Sequence, residues 1–148
     1  MDLKKTLENT MKDAMRSGDD VTKRTVRMSL AAIKQIEIDK QTTLDDNAIL
    51  SIIQKEIKTR RESLEEARQA NRSDLVASAE AEINVLKSFL PEELSENDLL
   101  KIVGEAIKEC GATSPADMGK VMKILLPRIQ GRAPGDRISQ VVRQLLQT

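Results

Sequence analysis

No proline precedes Pro91, and Gly18 is the single glycine before Gly104. Proline ends helices and sheet ladders, and glycine supplies most tight turns. A chain with so little punctuation over most of its length is confined to long, uninterrupted elements. Ala, Leu, Ile, Glu, Lys, Arg and Gln dominate this region, all good or tolerable helix formers. The expectation is long helices. No alternating strand pattern and no internal repeat compete with it.

The apolar spacing gives four helices in this region. Leu3, Leu7, Met11 and Ala14 or Met15 make the stripe of a first helix, Leu3 to Arg16, stopped by Gly18. Val21, Val26, Leu30, Ile33 and Ile36 mark a second, with Lys23, Arg24, Arg27 and Lys34 on its other face. A third starts at "TLDD", with Thr43 as cap and Asp46 completing a capping box, and runs through Ile49, Ile53, Ile57 and Leu64 to about Ala70. The fourth follows "NRSD" with Leu75, Ala79, Ile83, Leu86 and Leu90 inward. Its short link to the third predicts an antiparallel hairpin. On the third helix Lys58, Arg61, Arg68 and Arg72 stand among Glu62, Glu65 and Glu66, which reads as a salt-bridged exposed surface with pairs such as Arg61–Glu65.

"FLPEELSEND" is the strongest boundary. Pro91 disfavours helix in the residue before it, and Ser95 with Asp98 makes a new helix start. The expected division is residues 1–92, an N-terminal helical domain, and residues 93–148, a small three-helix domain. Its helices run from Glu96 to Cys110, from Ser114-Pro115 to about Leu126, and from Asp136 to Leu146. Leu99, Val103, Ile138, Val141, Val142 and Leu145 face inward. The fold class is all-α.

Composition narrows the function. The chain has 24 basic and 24 acidic residues, so it lacks the positive excess of a nonspecific nucleic-acid binder. With no Trp or Tyr and only Phe89, it has no aromatic platform for stacking bases. RNA contacts would run through phosphates and shape. Histidine is absent, which removes the commonest general base and metal ligand. Cys110 stands alone and reads as a small core residue. No cofactor motif and no metal-ligand cluster are found. No apolar run approaches a membrane span and "MDLKKTLENTMKD" has no apolar signal core, so the expectation is a soluble, cytoplasmic protein without membrane contact.

Charge is uneven along the C-terminal region. From Pro91 to Asp117 seven acidic residues face Lys101 and Lys108, a net of −5. From Met118 to Thr148 six basic residues face Asp136 alone, a net of +5. The basic half includes "DMGKVMKILLPRIQGRAPGDRIS". Its Gly119-Lys120 pair is no nucleotide loop, because Val121 follows where a hydroxyl is needed and no strand precedes. Gly119 reads as a close approach between helices or a loose first turn. Gly131 reads as a helix stop before the Pro134-Gly135 turn. Lys120, Lys123, Arg128, Arg132 and Arg137 are the candidate anion-binding residues.

"RRESLEEARQANRSDLV", "LPEELSENDL", "MGKVMKILLPRIQGRAPG" and "ISQVVRQLL" closely resemble the YqeY family, over nearly the whole chain. That family is related to the C-terminal tail of the B subunit of glutamine-dependent aspartyl/glutamyl-tRNA amidotransferase. The resemblance implies a larger N-terminal helical domain, a three-helix C-terminal domain and contact with tRNA. The family label, carbon–nitrogen ligase with glutamine as amido donor, belongs to the larger enzyme, and the tail-like chain is expected to be non-catalytic alone. Pro134 departs from the family, which more often has an acidic residue at this turn, and this bears on the cap of the last helix. Three readings follow. The first is a tRNA-associated module using the five cations just named. The second is an adaptor docking an aminoacyl-tRNA synthetase or another aminoacyl-tRNA enzyme. The third is a component of a working amidotransferase.

Overall fold

The computed structural model describes residues 2–147. They form seven α-helices: α1 Leu3–Ser17, α2 Asp20–Lys40, α3 Asp46–Gln69, α4 Ser73–Lys87, α5 Glu96–Cys110, α6 Met118–Ile129 and α7 Gly135–Leu146. A single 3₁₀ turn, Pro115–Asp117, precedes α6. The fold is all-α. The chain divides into two compact units between Leu90 and Pro91.

In the first unit, α1 packs along α2 and α3 along α4, and α2 lies against both α3 and α4. The helix ends follow from local chemistry. Asp2 and Asp19 cap α1 and α2 through their carboxylates. Gly18 takes the left-handed conformation at φ 76°, where a side chain would be strained, and ends α1. The core holds Leu3, Leu7, Val26, Ile33, Ile49, Ile53, Ile57 and Leu86.

Two details differ from the sequence reading. The cap of α3 is Asp45, whose carboxylate accepts from the Ala48 N–H at 2.9 Å, rather than Thr43. Asp46 is thereby released to accept the Leu3 N–H at 2.9 Å, which ties the start of α1 to the start of α3. Leu75 is 48 % exposed rather than inward, because it sits in the first turn of α4, beyond the buried Ala79, Ile83 and Leu86.

In the second unit, α5 packs against α6 and α7 around Leu99, Val103, Val121, Leu125, Ile129, Ile138 and Val142. Ser95 caps α5 by accepting the Asp98 N–H at 3.1 Å, and Gly111 ends the helix at φ 68°. The helix after Pro115 begins as a 3₁₀ turn, and Ser114 makes no side-chain cap. Asp117 holds the turn instead, accepting the Thr113 N–H at 3.0 Å. A side-chain Cβ at Gly119 would meet no neighbouring element within 4 Å, and the residue is exposed, so it mediates no close helix approach. Helix α6 runs past Leu126 to Ile129 and contains Pro127. Gln130 and Gly131 are both left-handed, at φ 50° and 77°, and turn the chain toward α7. Pro134 stands at the start of α7 without a side-chain cap, and Leu146 rather than Leu145 is fully inward.

Candidate functional site

The basic half of the second unit is built on α6, the following turn and the start of α7. Its five candidate cations divide into two groups. Arg132 and Arg137 are held within the unit. The Arg132 Nε donates to the Glu92 carbonyl at 2.9 Å, and the Leu94 N–H donates to the Arg132 carbonyl at 2.8 Å. The Arg137 guanidinium donates to the Leu94 carbonyl at 3.3 Å and to Glu93 Oε1 at 3.4 Å. Together they clasp Glu92–Leu94 over the α6–α7 turn and seat the buried Leu94 in the core. This geometry satisfies backbone carbonyls that would otherwise stand open at a chain bend.

Arg128 is tied to the Glu109 carboxylate at the end of α5, though both side chains remain substantially exposed. Its hydrogen bond holds the Glu109 carboxyl below the usual range, and Glu109 in turn raises the Arg128 guanidinium further. Lys120 lies 3.9 Å from Asp117, a loose contact one turn away with the lysine turned to solvent. Asp117 is held ionised chiefly by the Thr113 N–H. Lys123 is exposed and makes no ion pair among the described residues. Lys120 and Lys123 are one turn apart and share the outer face of α6 with Leu126 and Pro127. Pro127 has no N–H, so the Lys123 carbonyl lacks its usual i+4 helical donor.

The first unit holds a polar cluster that helical spacing alone did not single out. Thr25 and Ser29 of α2 are fully buried. The Ser29 hydroxyl donates to Glu56 Oε2 of α3 at 3.2 Å. Arg60, one turn on, reaches the same carboxylate oxygen at 3.3 Å and Glu82 of α4 at 3.9 Å. Arg24 of α2 meets the other Glu82 oxygen at 3.6 Å, and an Arg60 terminal nitrogen lies 3.8 Å from the Met28 sulfur. Burial raises the Glu56 carboxyl above its usual range, with Ser29 and Arg60 opposing. Thr25 Oγ1, Glu56 Oε1 and Arg60 Nε have no hydrogen-bond partner. The sequence does carry a signal for the cluster: Glu56 lies between Ile53 and Ile57 on the inward stripe of α3, where an apolar residue is the ordinary choice.

On the exposed part of α3, Arg68 pairs with Glu65 and with Glu80 of α4, each at 3.8 Å, and at the start of α4 Arg72 pairs with Asp74 at 3.1 Å. The expected Arg61–Glu65 pair does not form. A groove of about 440 Å³ between α3 and α4 is lined by Ser63, Ala67, Ala70, Leu75, Ala79 and Glu82, among others. Among the described residues no group of three or more Cys, Asp or Glu side chains is placed to hold a metal. No helix there is long and apolar enough to cross a membrane.

Comparison with known proteins adds a family. The model of the family described as Yqey-like protein matches residues 4–146. The chain is 36% identical over 113 residues to altered inheritance of mitochondria protein 41, mitochondrial, of Lachancea thermotolerans, covering 74% of this chain and 60% of that protein. It is 31% identical over 146 residues to the protein of the same name from Pyrenophora tritici-repentis, covering 95% of this chain and 78% of that one. An uncharacterized protein of Schizosaccharomyces pombe is 29% identical over 93 residues, with 63% of this chain and 76% of that protein covered. These names correct the expectation of a cytoplasmic protein, because the first two relatives are named as mitochondrial. The physical reason is plain: composition and the absence of an apolar signal core report on burial and membrane insertion, and neither encodes a compartment.

Proposed function

The chain belongs to the Yqey-like protein family, and from that premise we propose that it is a tRNA-associated helical module without chemistry of its own, using the outer face of α6. The observation that supports this reading is the division of the cations. The acidic half of the second unit occupies Arg132 and Arg137 and partly occupies Arg128. Lys120 and Lys123 are left toward solvent on one helical face. Two neighbouring ammonium groups suit successive phosphates of an RNA backbone, and a face without aromatic side chains suits recognition by charge and shape. Arg128 can exchange its exposed carboxylate partner for a phosphate at small cost. Arg132 and Arg137 are structural in this reading and do not touch the RNA. Amidation, if it occurs on the bound tRNA, is the work of other chains.

The test is a fluorescence-anisotropy titration of unfractionated tRNA across about 50–200 mM salt. Binding should weaken with salt. K120E/K123E should weaken it further and lower the salt slope by about one for each phosphate no longer neutralised. No binding at the lowest salt, or a titration that the double variant leaves unchanged, sinks the proposal.

A further inference from the structure

The outer face of α2 is a second exposed surface, on the first unit. At 100° per residue, Arg24, Arg27, Met28, Ala31, Lys34, Gln35 and Ile38 fall within about a third of the helix circumference. All seven are exposed. Met28 is 53 % and Ile38 59 % exposed, two of the few large apolar side chains left to solvent. With Ala31 between them they make an apolar line about 15 Å long. Arg27 and Lys34 flank it on one side and make no ion pair among the described residues. Of the nearby carboxylates, Glu82 is taken up by Arg24, Asp20 lies 3.7 Å from Lys23, and Asp39 accepts from Gln35 at the edge of the strip.

We propose that this face docks an acidic amphipathic helix of a partner protein. The occupant follows from complementarity. A helix with apolar residues at i, i+3, i+7 and i+10 would cover Met28, Ala31 and Ile38, and glutamates along one flank would meet Arg27 and Lys34. An RNA backbone would satisfy the cations but would leave the apolar line against phosphate and water. The strip is also held in place from below. Arg24 is paired to Glu82, and the Met28 sulfur sits against Arg60, whose guanidinium bridges Glu56 and Glu82. Side chains fixed before docking lose less freedom on docking. The surface lies on the first unit, so it stands or falls separately from the α6 reading.

The probe is a synthetic, fluorescein-labelled helical peptide with Leu at those four positions and Glu along one flank. It is titrated into the full chain by anisotropy and mapped by amide shifts in two-dimensional NMR. Shifts should centre on Met28, Ala31, Gln35 and Ile38. R27E/K34E should weaken binding at least about tenfold, and a peptide with Lys in place of Glu should restore binding to that variant and not to the parent chain. I38S should weaken the acidic peptide with the fold, read by circular dichroism, unchanged. The inference is overturned if the acidic peptide leaves these amides unmoved, if the charge-swapped pair fails to recover, or if an RNA oligonucleotide shifts the same amides while the peptide does not.

Discussion

The two units use the same kind of residue, arginine beside glutamate, in opposite ways. In the first unit Arg60 lies between two carboxylates where three helices meet, and its side chain is 11 % exposed. In the second, Arg128, Arg132 and Arg137 sit at the rim, two of them on backbone carbonyls. Desolvation decides what each arrangement means. A charge removed from water must keep its partner or the fold suffers, whereas a rim charge can be traded for water or a ligand. The interior cluster therefore acts on the packing of α2, α3 and α4. The rim cations divide between shaping a chain bend and remaining open to an anionic partner.

The sharpest way to break this contrast is Arg60→Met. It keeps volume but leaves Glu56 and Glu82 without their shared cation, and should destabilise the first unit by about 3–5 kcal/mol, read by urea unfolding with hydrogen exchange resolving the two units. A cost below about 1 kcal/mol would show that water already screens the cluster. Arg132→Ala should cost about 1 kcal/mol and should show first as faster exchange of the Leu94 amide. Unchanged exchange at Leu94 would mean that the clasp does not hold this bend.

A subtler probe is pH. The folded chain holds the Glu56 proton more tightly than the unfolded chain, whose glutamate titrates near 4.5. The stability Glu56 contributes is then complete below that value and declines as pH rises through the folded value. Glu109 and Asp117 behave oppositely, since their lowered values mean stability is lost as pH falls. Glu56→Gln should remove the decline on the alkaline side of pH 4.5 from the first unit and leave the acid-side decline in the second. An identical pH profile for Glu56→Gln and the parent would refute the assignment. Smallest of all, Arg128→Ala should move the unfolding midpoint of the second unit only slightly, because both partners are exposed, while returning Glu109 toward its ordinary value.

Most of the fold was legible because its signals are local. Gly18 and Gly111 end helices by their own backbone preference, Ser95 starts one, and Pro91 opens the second unit. Capping was harder where two candidates were adjacent. Asp45 caps α3 in place of Thr43, and Asp46 accepts from Leu3, 43 positions away. Charge counting is blind to distant partners in the same way. Counting gave +5 against −5 and suggested an open basic surface. The fold brings Arg132 to Glu92, 40 positions away, and Arg137 to Glu93, 44 positions away, so part of that charge is already neutralised or hydrogen-bonded within the unit. Helical spacing reveals partners three or four residues apart and is silent on these.

The bond between Leu3 and Asp46 also matters to anyone building a fusion. It fixes the start of α1 beside the start of α3, and Lys4 meets Glu37 at 2.6 Å, next to Ile38 at the far end of the α2 strip. An affinity tag or fluorescent partner joined ahead of Asp2 would begin close to that end of α2, so binding at the proposed α2 surface is best measured without one. A label placed after α7 is joined to the second unit instead.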